Sequence, residues 1–304
     1  MESRKKWFDA NVGVLIDAKM GALTAGWYLL LIPGLIWGAS FLFIAESLRA
    51  IGPNGVTFVR ICIGFATLAF FPAARKPVER ADWPAVFWLG VLWFAFPLSM
   101  FPFAEQRVSS ALTGMLNGAN PLFATLVASL IARKAPSRGV ATGLAVGISG
   151  AVLMALPAMN EGRSSAIGVA MILAALVSYG VALSLARSLQ QKYGAVPVIW
   201  RAQAVGLLLT APLGFPDLMA AKWTPVPLLS LVALGVFGTA IANVVMASAA
   251  GRFGAARASS TTFLIPVVAL VLGVALRGEQ VAGLSLVGGV VCLVGAWLMK
   301  RASG

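Results

Sequence analysis

Residues 111–154, ALTGMLNGANPLFATLVASLIARKAPSRGVATGLAVGISGAVLM, decide how the whole chain is read. They can be laid without a gap on residues 256–299, ARASSTTFLIPVVALVLGVALRGEQVAGLSLVGGVVCLVGAWLM, at a constant offset of 145. Ala111 falls on Ala256, Pro121 on Pro266, Ala124 on Ala269, Gly143 on Gly288, Val146 on Val291 and Gly150 on Gly295. Ala151, Leu153 and Met154 fall on Ala296, Leu298 and Met299. Apolar composition inflates chance matches, so the prolines and glycines in register carry the weight. A looser parallel sets Trp37-Gly38 beside Tyr179-Gly180, and Arg60 beside Arg201.

The rest of the chain is as apolar as this stretch. Of 304 residues, 60% are hydrophobic and 11% charged, where a soluble domain carries about 25% charged residues. Lipid is therefore its expected solvent. The net charge of +13 does not imply nucleic acid as a partner. The basic residues come in ones to threes between apolar runs, without the patch or stripe and stacking aromatics of a nucleic-acid binder. There is no histidine, which excludes imidazole-based metal sites, Ser-His-Asp chemistry and histidine proton switches. Cys62 and Cys292 lie inside apolar runs and read as small buried hydrophobes. No metal, no cofactor, no catalytic residue and no disulfide framework is expected.

Ten apolar runs are long enough to be spans of about 20 residues, near 26–45, 55–73, 84–104, 109–132, 139–157, 166–186, 198–213, 225–247, 258–276 and 282–299. The seventh is the weakest. The first begins near Gly26, too far along for a cleavable signal peptide. Residues 1–25 read as a cytoplasmic tail in which Arg4, Lys5, Lys6, Trp7, Phe8 and Val14 to Ile16 suit either an interfacial helix or a loose segment. With the N-terminus inside, the inner segments hold sixteen Lys and Arg and the outer ones five. That bias places both termini in the cytoplasm. Trp27, Tyr28, Trp83 and Trp223 fall at span ends, as interfacial anchors do.

The expected fold is thus an all-α, multi-pass membrane protein of ten transmembrane helices, in two repeats at 26–157 and 166–300. Five helices per repeat is an odd number, which turns the second repeat upside down. Inverted repeats around a central cavity, with a site near the midplane, are the architecture of many transporters. Lys134 aligns with Glu279, so equivalent loops carry opposite signs on opposite faces.

Candidate site residues cluster in the fourth and ninth runs. Pro121 and Pro266 lack the N–H that bonds four residues back, freeing the carbonyls of Asn117 and Thr262. Thr113, Asn117 and Asn120 share one helical face, and Ser259 to Thr262 occupy matching depths. These groups line a cavity or bond between helices without transport. Arg60 and Arg201 lie inside spans, where a cation is a functional candidate; snorkelling to headgroups or bracing a helix end is the preferred reading, and holding a substrate carboxylate the sharper one. Trp37, Trp93 and Tyr179 are too deep for belt residues and suit either packing or a cavity wall. Ser40, Thr239 and Asn243 are second-rank candidates. Gly139, Gly143 and Gly147, with Gly150 beyond, form a small-residue stripe that makes the fifth and tenth helices packing or dimer-facing elements outside the cavity, and Gly34 with Gly38 forms a shorter one. No acidic residue lies in mid-span, so facilitated movement is plausible and strong proton coupling requires Glu46, Glu105 or Glu279.

Leu35-Ile36-Trp37-Gly38-Ala39-Ser40-Phe41, Arg60 and Asn120-Pro121-Leu122 resemble a first EamA-type domain. Ile265-Pro266-Val267, Gly278-Glu279-Gln280 and the helix from Gly288 to Gly295 resemble a second. Together they resemble the drug/metabolite transporter superfamily over nearly all of 26–300. The resemblance implies ten helices around a cavity, cytoplasmic termini in the bacterial inner membrane, and export of small metabolites. By length the chain is similar to the amino-acid exporters, some of which favour aromatic substrates. It departs from the family at Arg133-Lys134-Ala135, where a Gly-Glu pair is frequent. The expected activity is alternating-access export of an amino acid or related metabolite. Multidrug or cationic efflux is the alternative; a channel and an intramembrane enzyme are remote ones.

Overall fold

In lipid every backbone N–H and C=O must find its partner within the protein, which leaves helices as the only form for these apolar runs. The computed structural model describes residues 27–253 and 258–303. The expected tail at 1–25, Gly26 at the start of the first run, and Ala256 and Arg257 lie outside the described residues. Among the described residues there is no strand, and eleven helical segments follow in chain order, with a short 3₁₀ turn, Pro72–Arg75, between the second and the third. They are α1 (Trp27–Ser47), α2 (Pro53–Ala69), α3 (Arg80–Glu105), α4 (Ser110–Asn117), α5 (Asn120–Ala132) and α6 (Arg138–Asn160). Then come α7 (Arg163–Tyr193), α8 (Ala195–Met219), α9 (Pro225–Ala250), α10 (Ser259–Arg277) and α11 (Gly283–Ser303).

Eight of these are long and apolar enough to cross a membrane, and α4 with α5 makes a ninth if the bent pair is one span. The chain is therefore a multi-pass membrane protein. Its large exposed apolar side chains, among them Leu276 at 66% and Phe70 at 85%, need lipid around them. The structure differs from the expected runs in three places. The weak seventh run is a 25-residue helix, α8. The sixth run extends through the expected loop residues Arg187 and Lys192 to give a 31-residue α7. The second is the short one, 17 residues ending at Ala69, because a turn and Pro72 follow.

Four helices depart from regular α geometry at matching places in the repeat. The fourth run breaks between α4 and α5 with a bend of 42°. Pro121 sits in the first turn of α5, where its missing N–H is harmless. At the matching depth α10 opens with a tight 3₁₀ stretch, Ser259–Phe263, before Leu264. The third helix of each sequence half carries a wide π turn, Gly90–Ala95 in α3 and Leu234–Ile241 in α9. In α3 Pro97 follows directly and withholds an N–H. In α9 the Thr239 hydroxyl donates to the Leu234 carbonyl at 3.0 Å, competing with the backbone ladder.

The closing helices of the two halves pack on each other antiparallel. Gly143 lies against Met299, Gly150 against Cys292, and Gly288 against Met154, so numbers rise along α6 as they fall along α11. The buried Ser285 hydroxyl donates to the Met154 carbonyl at 2.8 Å. The expectation that the glycine stripe serves packing therefore holds, with α11 as the partner of α6.

Candidate functional site

A π turn turns backbone carbonyls out of the ladder, and in a membrane each then has to be met by a side chain. In α9 that demand gathers side chains from three other helices. Trp37 of α1 donates its indole N–H to the Gly238 carbonyl at 3.0 Å. Gln203 of α8 and Asn243 of α9 both donate to the Thr239 carbonyl, at 2.7 and 3.0 Å. Arg60 of α2 donates Nε–H to the Thr239 hydroxyl at 3.2 Å. Ser40 closes the cluster, donating to the Ile36 carbonyl at 2.8 Å. Gly238 is required here, since a Cβ at that position would stand 2.8 Å from Ser40 Oγ. The opposite pair of helices repeats the device: Ser178 of α7 donates to the Leu92 carbonyl inside the π turn of α3 at 2.8 Å.

Aromatic side chains form a wall beside this hub. Tyr179 stacks on Phe101 with centroids 6.1 Å apart, and Phe101 meets Phe41 edge-on at 5.6 Å. Trp93, half-buried in the π turn of α3, stacks on Phe94 at 6.4 Å. Arg60 is 4% exposed, and among the described residues no carboxylate lies within ion-pair distance of it.

The polar stripe expected along the fourth run is corrected by the break. Thr113, Asn117 and Asn120 are not one straight face, because the bend re-aims everything after Asn117. Thr113 is fully buried and spends its hydroxyl on the Ser109 carbonyl at 2.9 Å. Asn117 is buried, while Asn120 is half-buried and its buried Oδ1 has no partner among the described residues. In α10, Ser259 and Thr262 are half-buried, and the Thr262 hydroxyl donates to the Ser259 carbonyl at 2.7 Å. The two breaks face each other: a Cβ on Gly118 would lie 2.9 Å from the buried Pro266 ring. Pro121 is half-buried. Arg201 donates to the carbonyls of Ala74 at 3.0 Å and Pro197 at 3.1 Å.

The end bearing Glu279 is tightly packed. There α4 is buried at every residue. It presses on α10 so closely that a Cβ on Gly114 would stand 2.2 Å from the Ala269 Cβ. Glu279 accepts from the Ser110 and Ala111 N–H groups at 3.1 and 2.8 Å and from the Ser110 hydroxyl at 2.8 Å. A carboxylate on the first turn of a helix meets its free N–H groups and its dipole. Arg277 links Glu279, at 3.1 Å, to Glu46, which also holds Arg49 at 2.9 Å. Asp217 does the same service for α2, accepting from the Gly55 N–H at 3.0 Å. Toward the other end, α5 is mostly half-exposed, as are four of the five residues Ser259–Phe263.

Sequence reasoning missed Gln203, Ser178 and the capping acids. The lone amide in an apolar run was a signal for Gln203. Nothing local marks the other groups, whose partners lie 86 to 169 residues away.

A model of the EamA-like transporter family matches residues 24–156 and again 166–301. The chain is 27% identical to the probable terminal-alkyne amino-acid exporter of Streptantibioticus cattleyicolor, covering 87% of this chain and 90% of that protein. It is 28% identical to the uncharacterized transporter YdfC of Bacillus subtilis over 86% of each. An uncharacterized transporter of Archaeoglobus fulgidus is 23% identical over 90% of this chain and 98% of its own. A solved protein structure superposes with a TM-score of 0.62 at 19% identity, covering 90% of this chain and 96% of that one; at this identity the match speaks for fold alone.

Proposed function

The chain belongs to the EamA-like transporter family, and from that premise we propose that it exports amino acids or closely related metabolites by alternating access. It is a transporter and not an enzyme. Ten spans follow if α4 with α5 is one span and α2 is another. At 1.5 Å per residue the 17 residues of α2 reach about 26 Å, close to the hydrocarbon thickness of about 30 Å. Two sequence-equivalent helices packed antiparallel are related by an axis perpendicular to both, which supports inversion of the repeats. The bias of basic residues supports cytoplasmic termini, and similarity to bacterial transporters supports a bacterial inner membrane.

The observation that carries the reading is the unequal closure of the two ends. The Glu279 end, outer in this orientation, is locked by α4 on α10, whereas α5 and Ser259–Phe263 stand half-exposed at the inner end. Between them lie the two facing breaks and the aromatic wall. Asn117, Asn120, Ser259 and Thr262 offer donors and acceptors for a substrate carboxylate and ammonium, with Trp37, Trp93 and Tyr179 shaping the side-chain pocket. Arg60 and Asn243 hold the π turn behind it, beside Ser40. Similarity to an amino-acid exporter supports the substrate class.

Uptake into proteoliposomes of labelled amino acids and of cationic dyes tests this. We expect saturable transport of one or more amino acids. Trp37→Ala, Asn117→Ala and Thr262→Ala should each lower transport, the polar ones by about 10- to 100-fold, since a hydrogen bond to a charged group contributes about 1.5–3 kcal/mol. Unchanged flux in all three well-folded variants removes the assignment, and transport of the dyes alone favours cationic efflux.

A further inference from the structure

Five acidic residues lie toward the Glu279 end; Glu161 is exposed after α6, and three of the other four are occupied. Glu46 holds Arg277 and Arg49, Glu279 caps α4, and Asp217 caps α2. Glu105, the last residue of α3, is different. Both of its carboxyl oxygens are buried, and neither has a hydrogen-bond partner among the described residues. The charges that act on it are those of Glu279 and Arg277 from α10 and the loop behind it, and of Arg60 from α2; Tyr179, on α7, faces Arg60. None of them donates a hydrogen bond to it. Arg277 is bound to Glu46 and Glu279, and Arg60 points Nε–H at Thr239.

An ionised carboxylate stripped of water and given no donor costs several kcal/mol, and such a group takes up a proton instead. We infer that Glu105 is a proton-binding site that couples closure of the Glu279 end to uptake of one proton from that side. In the open arrangement water reaches the carboxylate and it is ionised. As α4 seats on α10 the water leaves, and a proton from that water forms the O–H bond that lets the carboxyl be buried. Reopening returns the proton. The sequence left three acids as candidates for coupling, and the geometry selects the unengaged one.

The inference rests on the alternating-access reading, because it concerns the step that shuts one end. Its first test does not depend on substrate. Infrared difference spectra of the purified protein in lipid vesicles, between acid and alkaline pH, should show a protonated-carboxyl C=O band persisting above the ordinary glutamate range. The band should vanish in Glu105→Gln and shift in Glu105→Asp. The second test uses labelled phenylalanine. Net efflux requires the empty carrier to close its outer end, so it should accelerate with outer acidity by up to about tenfold per pH unit. One-for-one exchange closes the same end with substrate bound and should respond as well, and in Glu105→Gln the acid response of both should be lost. If Glu105→Gln removes no carboxyl band, or keeps the full acid response, the proton site is wrong. If phenylalanine and the other amino acids are not transported while the band is present and assigned, the proposed substrate class falls and the proton site stands.

Discussion

Gly295→Val should prevent recovery of folded protein, and Gly150→Val should do nearly the same. A Cβ on Gly295 would stand 2.1 Å from the Gly147 nitrogen and 2.3 Å from its Cα; one on Gly150 would stand 2.2 Å from the Cys292 nitrogen. These neighbours are backbone, so no rotamer change relieves the clash. The seam between α6 and α11 has to part along much of its length, taking with it the Ser285 hydrogen bond to Met154. Overpacking ordinarily costs about 1–3 kcal/mol where side chains can yield. With rigid partners the cost should be on the order of 3 kcal/mol or more, a large share of a stability of about 5–15 kcal/mol. Gly283→Ala, in open space at the start of α11, should stay within about 0.5 kcal/mol of the parent. Yield of monodisperse protein in detergent and its thermal unfolding report both effects; a Gly295→Val protein that melts like the parent contradicts the seam.

Glu279→Ala should leave the fold intact and unlock one end. It removes the acceptor for Ser110 and Ala111 at the start of α4 and the partner of Arg277. These groups are only 12–28% exposed, so their loss is less softened by water than that of a surface pair. A charge-assisted hydrogen bond contributes about 1.5–3 kcal/mol. A net loss of about 2 kcal/mol shifts the closed population roughly 30-fold. Val108, 8% exposed beside α4, offers a reporter: in a Val108→Cys background, labelling by a membrane-impermeant thiol reagent should rise by about that factor. Unchanged labelling would mean that the lock does not hold this end.

How much of this was legible in the sequence depends on range. Hydropathy placed the helices because lipid permits no other backbone form, and the doubled Pro and Gly positions showed the repeat. The seventh run was underestimated because Arg201, Gln203, Pro212 and Pro216 dilute its hydropathy, although the helix continues through all four. The site was less legible. Trp37, Arg60 and Asn243 were named as candidates, yet what unites them is the π turn around Thr239, which has no sequence signature of its own. Thr113 looked equivalent to Asn117 by spacing, and only the break at Gly118 and Ala119 separates a buried packing hydroxyl from the residues that follow. Glu105 stood beside Glu46 and Glu279 as a candidate for proton coupling; the burial of its carboxyl oxygens depends on how neighbouring helices close over it.

Alternating access makes one requirement that the repeat states residue by residue. Gly114 and Ala269 touch at the closed end, and their equivalents at the offset of 145 are Ser259 and Ala124. When the inner end shuts, those two must approach as their counterparts do here. A disulfide needs Cβ atoms about 3.5–4.5 Å apart, so Ala124→Cys with Ser259→Cys should cross-link under oxidant during transport, arrest flux, and release it on reduction. A protein that transports at full rate under oxidant while this pair never forms the bond would contradict the exchange of closures between the two halves.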